Sequence, residues 1–280
     1  MRFTKMHGAG NDYIYIDGFT EKLSADPDVL AREISDRNFG VGGDGLILIL
    51  PSAHADLRMR IFNADGSEAE MCGNGLRCVA KYAHDHQLVG STAIVVETGA
   101  GLLPLTMFTN EAGLVDRVRV NMGVPRLSRS ELPMKGPATE RVIDEELVVL
   151  DWPLRMTCVS MGNPHCVIFV DDIDQFPVDR YGPFIEKHPH FPSRTNVEFV
   201  QVLSRGEVRQ RTWERGAGET LACGTGAAAV TVAGMLTGRT DGRLLNHLRG
   251  GDLLMEWDGQ NEVFMTGPAV EVFSGDYHPC

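Results

Sequence analysis

Apolar and polar positions alternate with a period of two through much of the chain, and only short stretches carry the three-to-four spacing of a helix. Leu57, Met59 and Ile61 alternate with Arg58 and Arg60, and 46–50 is a continuous apolar run of strand length. Further strands are expected over 13–17, 94–97, 114–121, 141–150, 166–170, 197–203, 253–257, 263–266 and 270–274. Asp26 before Pro27, with Leu30 and Ile34 on one face and Gly40 beyond, predicts a capped surface helix. Two other helical runs, 76–86 and 227–236, each follow a Cys-Gly-x-Gly segment. The second is apolar on every side, which places it inside protein with a curved sheet wrapped around it. Its surroundings, 220–238, carry no charge over almost a bilayer's width. Four glycines, four threonines and mostly alanine give that stretch little transfer energy, so a buried helix is expected and not a membrane span.

Compared with itself, the chain repeats. Glu68, Cys72, Gly73, Gly75 and Val79 fall on Glu219, Cys223, Gly224, Gly226 and Val230 at an offset of 151 residues. One residue of slip pairs Gly10-Asn11 with Gly162-Asn163, each ahead of an apolar strand, and the turns at 110–113 and 258–261 also correspond. Two copies of one α/β unit are the economical reading. Between them 124–139, with three prolines and no periodicity, is the expected linker.

Composition narrows the function. A length of 280 residues suits about two domains, and 43% apolar with 23% charged residues excludes a disordered chain. A net charge of -12 argues against nucleic acid as a partner. Six cysteines are too few for a secreted disulfide framework, and Met1 to Lys5 opens no apolar leader, so a reducing cytoplasm is expected. Thirty-one glycines exceed the usual share of about 7%, a sign that backbone must come close to something.

Each copy sets a thiol at a helix N-terminus, where unpaired N–H groups and the positive end of the macrodipole favour an anion. Such a site lowers a thiol pKa and also suits a carboxylate, here through the N–H groups of Gly73-Asn74 and Gly224-Thr225. A lone Cys is more often a small buried hydrophobe. Two at matched positions, each near an Asn and an acid, are hard to ascribe to packing. Cys78, Cys158 and Cys166 read as packing residues and Cys280 as a terminal thiol without a role. A metal site built from Cys72, Cys78, Cys166 and His165 lacks the paired spacing of ligands. Without a Cys-x-x-Cys, a disulfide between Cys72 and Cys223 is expected only as oxidative damage.

The segments His7-Gly8-Ala9-Gly10-Asn11-Asp12, Asn63-Ala64-Asp65-Gly66-Ser67, Met71-Cys72-Gly73-Asn74-Gly75, Gly162-Asn163-Pro164-His165 and Glu214-Arg215-Gly216 before Ala222-Cys223-Gly224-Thr225-Gly226 together resemble the diaminopimelate epimerase family. The resemblance runs along essentially the whole chain. It implies an α+β fold of two pseudo-symmetric lobes, each a curved, mostly antiparallel sheet around a central helix. The lobes are expected as 1–122 with 268–280, and 123–267, with the active site in the cleft between them. The implied reaction converts LL- to meso-2,6-diaminopimelate, in lysine and peptidoglycan precursor biosynthesis, without metal, pyridoxal phosphate or any other cofactor. Cys72 and Cys223 are then thiolate and thiol on opposite faces of one α-carbon, with His165 and Glu214 beside them. Asn11, Asn63, Asn163, Asn196, Glu214 and Arg215 are implied to hold the distal end of the substrate, and Gly73, Asn74, Gly224 and Thr225 its reacting carboxylate. A cytoplasmic homodimer is implied. Where some members carry Gln, this chain has Gly45, which offers no side chain. Proline racemases typically have His at the place of Asn74, and a non-catalytic amino-acid binding protein is the alternative from another class.

Overall fold

The computed structural model describes residues 1–150 and 152–278; Cys280 lies outside them. Among the described residues there are eighteen strands and four helices, α1 (Pro27–Ser35), α2 (Gly73–Asp85), α3 (Val178–Glu186) and α4 (Gly224–Leu236). The architecture is α+β, dominated by strands. The chain divides into two compact units, Met1–Val120 with Gly267–Cys280, and Asn121–Thr266.

In the first unit Arg2–Gly8 pairs antiparallel with Val270–Asp276 on one side and with Asn11–Asp17 on the other. Ala9 and Gly10, both at positive φ, make the tight turn between them. Asn11–Asp17 then runs parallel to Gly45–Leu50 across α1, and Gly45–Leu50 pairs antiparallel with Leu57–Asn63. Leu57–Asn63 runs parallel to Ala93–Thr98 across α2, and Gly101–Thr109 and Val115–Asn121 follow antiparallel. Strands from both ends of this order, Arg2–Gly8 and Gly101–Thr109, pack on α2, so the sheet curves around that helix.

The second unit repeats the order. Trp152–Ser160, Pro164–Phe169, Asn196–Ser204, Glu207–Glu214, Arg243–Leu248 and Gly251–Glu256 pair antiparallel, parallel, antiparallel, parallel, antiparallel. α3 and α4 fill the two parallel crossovers. From Gly226 to Gly234 every residue of α4 is buried, which is why an apolar, Ala-rich sequence serves there.

Local chemistry accounts for the elements. Pro27 opens α1, and Leu30, Ala31 and Ile34 bury against Leu46, Leu48 and Phe62. Asp26 occupies the N-cap position without a side-chain capping bond. α3 was not predicted, because Gly182-Pro183 reads as a break. Gly182 is needed there: a Cβ would lie 2.6 Å from Trp213 Cγ. The expected linker, 124–139, is irregular but packed. Leu132 and Met134 enter the core of the second unit, and buried Arg129 donates to the carbonyl of Lys135 and pairs with Glu145. The strand expected at 141–150 shortens to Glu145–Val149, with Arg141 in an isolated bridge to Ser128. No described helix is long and apolar enough to cross a membrane.

Candidate active site

Equivalent ion pairs lead into both cysteine motifs. Arg60 holds Glu68 through Nε–Oε1 at 2.7 Å and Nη2–Oε2 at 2.9 Å, and Arg211 holds Glu219 through the same atoms at 2.7 and 3.0 Å. These bidentate forks fix the short strands Glu68–Ala69 and Gly218–Thr220 just ahead of each thiol. Cys72 is the N-cap of α2 and Cys223 the N-cap of α4. Each sulfur accepts from the N–H three residues on, Gly75 or Gly226, at 3.4 Å. The N–H groups of Gly73 and Asn74, and of Gly224 and Thr225, remain as first-turn donors for an anion.

Around Cys72 the partners include neutral amides backed by charges. The thiol donates to Asn11 Oδ1 at 3.3 Å, and Asn74 Nδ2 donates to the same oxygen at 3.3 Å. Asn11 Nδ2 donates to Asp44 Oδ2 at 2.7 Å. Asp44 accepts in turn from Arg37, which also pairs with Asp12. Burial works against the Asp12 charge, yet Arg37 and Lys5 hold its carboxyl below the usual carboxylate range. At Gly45 a Cβ would lie 2.1 Å from the carbonyl oxygen of Phe62, so this position has no room for a larger residue. Asn63 donates from Nδ2 to Ser67 Oγ at 3.0 Å and closes the Asn63–Ser67 turn.

Arg77 was not singled out from the sequence, where it looks like a surface cation on a helix. Its side chain is fully buried. Nε donates to the carbonyl of Pro268 at 3.1 Å, Nη1 to that of Gly73 at 3.4 Å and Nη2 to Asn74 Oδ1 at 2.9 Å. Burial lowers its pKa, with the Cys78 and Cys72 thiols acting the other way. Arg77→Met removes the guanidinium donors from the buried Asn74 Oδ1 and from the half-buried carbonyls of Gly73 and Pro268, and a loss of about 3 kcal/mol is expected in urea unfolding. A loss under ~1 kcal/mol would show that those acceptors find other partners.

Cys223 sits in a different environment. Burial pushes its thiol up, the carboxylates of Glu214 and Glu198 add to this, and the Thr225 hydroxyl and Gly226 N–H pull the other way. The lowering expected from a helix N-terminus is therefore outweighed here by desolvation. Glu214, at the end of Glu207–Glu214, accepts from Thr220 Oγ1 at 2.5 Å. His165 is fully buried, with Nδ1 2.8 Å from Glu198 Oε1 and Nε2 3.0 Å from Asn163 Oδ1. Asn163 Nδ2 donates to Thr225 Oγ1 at 3.3 Å.

Asn196 spends both ends of its amide on backbone: Nδ2 donates to the carbonyl of Pro164 at 2.9 Å, and Oδ1 accepts from Arg215 N at 2.9 Å. It ties the Glu214-Arg215 turn to the strand bearing His165. The exposed Arg215 guanidinium donates to the carbonyl of Ser193 at 3.2 Å. In the first unit the structure thus gathers Cys72, Gly73, Asn74 and Asn11, with Asn63 closing a nearby turn, and in the second Cys223, Gly224, Thr225, Asn163, His165, Asn196, Glu214 and Arg215. Each cluster offers a thiol beside helix-end donors, the equipment for proton transfer next to a carboxylate. Cys78, Cys158 and Cys166 are buried core residues, and burial pushes the Cys78 thiol up to about 11.

The family model described as diaminopimelate epimerase matches residues 3–128 and 157–272. A diaminopimelate epimerase of Agathobacter rectalis is 56% identical over 283 residues, with 99% of each chain covered. Another, of Pelotomaculum thermopropionicum, is 57% identical over 278 residues, again covering 99% of each. Among solved structures, a Bacillus anthracis phenazine biosynthesis protein of the PhzF family has a TM-score of 0.71 at 18% identity, covering 98% of both chains. A hydroxyproline epimerase from Agrobacterium vitis has a TM-score of 0.70 at 17% identity, covering 98% of this chain and 91% of that one. At such identities these two likenesses speak for the fold alone.

Proposed function

We propose, since the chain belongs to the diaminopimelate epimerase family, that it is an isomerase that inverts one α-carbon of 2,6-diaminopimelate, interconverting the LL and meso forms. The observation that carries this reading is the pair of N-cap cysteines at equivalent places in two copies of one unit. Inversion needs a base on one face of the α-carbon and an acid on the other, since a single group would return the proton where it found it. Cys223 as thiolate takes the α-proton and Cys72 as thiol returns one, and in the reverse direction the roles exchange.

The α-proton is weakly acidic while its carboxylate is ionised, so negative charge must be met as it develops. Backbone N–H groups of Gly73, Asn74, Gly224 and Thr225 are suited to this; one such donor is worth about 3 kcal/mol in a comparable oxyanion site. His165 and Glu214 assist at Cys223. The distal carboxylate and ammonium fall to Asn11, Asn63, Asn163, Asn196, Glu214 and Arg215. For Asn196 the backbone bonds above favour holding the Arg215 turn over direct contact. A cytoplasmic homodimer acting in lysine and peptidoglycan precursor synthesis completes the proposal.

A paired assay tests it. LL-diaminopimelate is expected to be converted to the meso form with no added cofactor, and L-proline to be left unchanged. Racemised proline with untouched diaminopimelate would assign the site to a proline racemase, and binding of either without turnover would make the protein a receptor.

A further inference from the structure

The two units share a chain path but not the chemistry beneath their helices. The parallel register sets Tyr15 beside Ile47 in the first unit and Val167 beside Glu198 in the second, so Ile47 and Glu198 hold equivalent places. Both lie against the second glycine of their motif. A Cβ at Gly75 would lie 2.5 Å from Ile47 Cδ1, and one at Gly226 would lie 2.6 Å from Glu198 Oε1. An acid thus stands, fully buried, where the other unit keeps an aliphatic side chain. A buried carboxylate is costly unless a partner offsets it. That partner is His165, through Nδ1 at 2.8 Å; the second oxygen, Oε2, has no hydrogen-bond partner among the described residues.

From His165 a chain continues to sulfur. Nε2 meets Asn163 Oδ1 at 3.0 Å, Asn163 Nδ2 donates to Thr225 Oγ1 at 3.3 Å, and Thr225 Oγ1 lies 3.4 Å from Cys223 Sγ. Counting donors gives the direction. An ionised Glu198 only accepts, so Nδ1 carries the hydrogen between them, and with Asn163 Nδ2 turned to Thr225 its Oδ1 only accepts too, so Nε2 carries the second ring hydrogen. A Thr225 hydroxyl that already accepts from Asn163 keeps its own hydrogen for Sγ. The first unit runs the opposite way: Asp44 takes the Nδ2 hydrogen of Asn11, leaving Asn11 Oδ1 to accept from the Cys72 thiol.

We infer that Glu198 is a positioning residue for Cys223: it orients His165 and, through Asn163 and Thr225, keeps a hydroxyl donor turned toward the sulfur in its thiolate state. Being fully buried, Glu198 meets no substrate. The inference rests on the reading of Cys223 as a catalytic thiol. The charged groups facing that sulfur within its unit are Glu214 and Glu198.

The sign of one rate decides it. Iodoacetamide alkylates thiolates, so the rate at the peptide carrying Cys223, at one fixed pH, reports its thiolate fraction. If Glu198 acted merely as a nearby negative charge, removing it would favour the thiolate and speed alkylation. Acting through His165, its removal slows alkylation about tenfold, the effect of one pKa unit. Glu198→Ile borrows the residue of the equivalent position, and Glu198→Gln keeps volume and an acceptor for Nδ1, so a misfolded Ile variant on thermal melting leaves the Gln variant to decide. In both, alkylation is expected to slow and kcat to fall, more for Ile than for Gln, with KM within about twofold because no substrate contact is lost. Alkylation at or above the wild-type rate in a folded variant overturns the inference. Absence of epimerisation in the wild-type enzyme would overturn the functional reading instead, while the alkylation rates still judge Glu198.

Discussion

With Cys72 replaced by alanine, epimerisation falls by at least about a thousandfold, and Cys223→Ala falls as far, since each variant loses the acid or base on one face. The two variants are not equivalent, however. The remaining thiol still reaches its own face of the α-carbon, where it can remove a proton and return one from solvent with the configuration kept. In deuterated water Cys72→Ala should therefore exchange the α-hydrogen of one epimer, and Cys223→Ala that of the other, without interconversion. Proton NMR of each epimer with each variant checks this. Exchange of the same epimer by both variants would mean that one thiol serves both faces.

The second large effect is expected at Gly226. In open space Gly→Ala within a helix would stabilise by about 1 kcal/mol. Here the added methyl would lie 2.6 Å from Glu198 Oε1 and 3.1 Å from Gln210 Nε2. Neither neighbour can give way freely. Glu198 is bonded to His165, and Gln210 donates to Thr212 Oγ1 at 2.8 Å and accepts from Asn246. A net loss of about 2 kcal/mol is expected for Gly226→Ala, together with at least about a tenfold fall in kcat as Glu198 is pushed off the imidazole. The equivalent Gly75→Ala meets only the far end of Ile47, which can rotate, and should be within ~1 kcal/mol of neutral. Thermal unfolding of the two variants side by side measures the contrast, and equal losses would contradict it.

Much of this was legible in the sequence because the chain is duplicated. A single Cys-Gly-x-Gly says little, but a second copy 151 residues on, with its acid and valine in place, marks both thiols and both helices. The alternating run at 57–61 and the continuous apolar run at 46–50 appear as strands because they bury one and both faces, respectively. Other elements escaped for identifiable reasons. Pro104 and Pro153 sit inside the strands Gly101–Thr109 and Trp152–Ser160, where a missing N–H argues against a ladder. α3 hides behind Gly182-Pro183, and its glycine is explained only by Trp213 arriving from another strand.

The buried charges of the site were the least legible. Arg77 and Glu198 look like solvated residues of a helix and a strand, and nothing local distinguishes them. Asp44 passes for a turn residue in a glycine-rich loop, although it fixes the Asn11 amide beside Cys72. One signal was available for Glu198. Aligning the two copies sets it against Ile47, and an acid at an aliphatic position of a repeat is a site worth inspecting.

The central claim is a two-base inversion at one carbon, and conversion of LL-diaminopimelate in deuterated water by the wild-type enzyme tests it most directly. The meso product is expected to carry one deuterium, at the inverted α-carbon, with the other α-position still protonated, because the returning proton comes from a thiol that exchanges with solvent. Meso product formed without deuterium would mean that the abstracted proton is carried across to the other face, and would contradict the account.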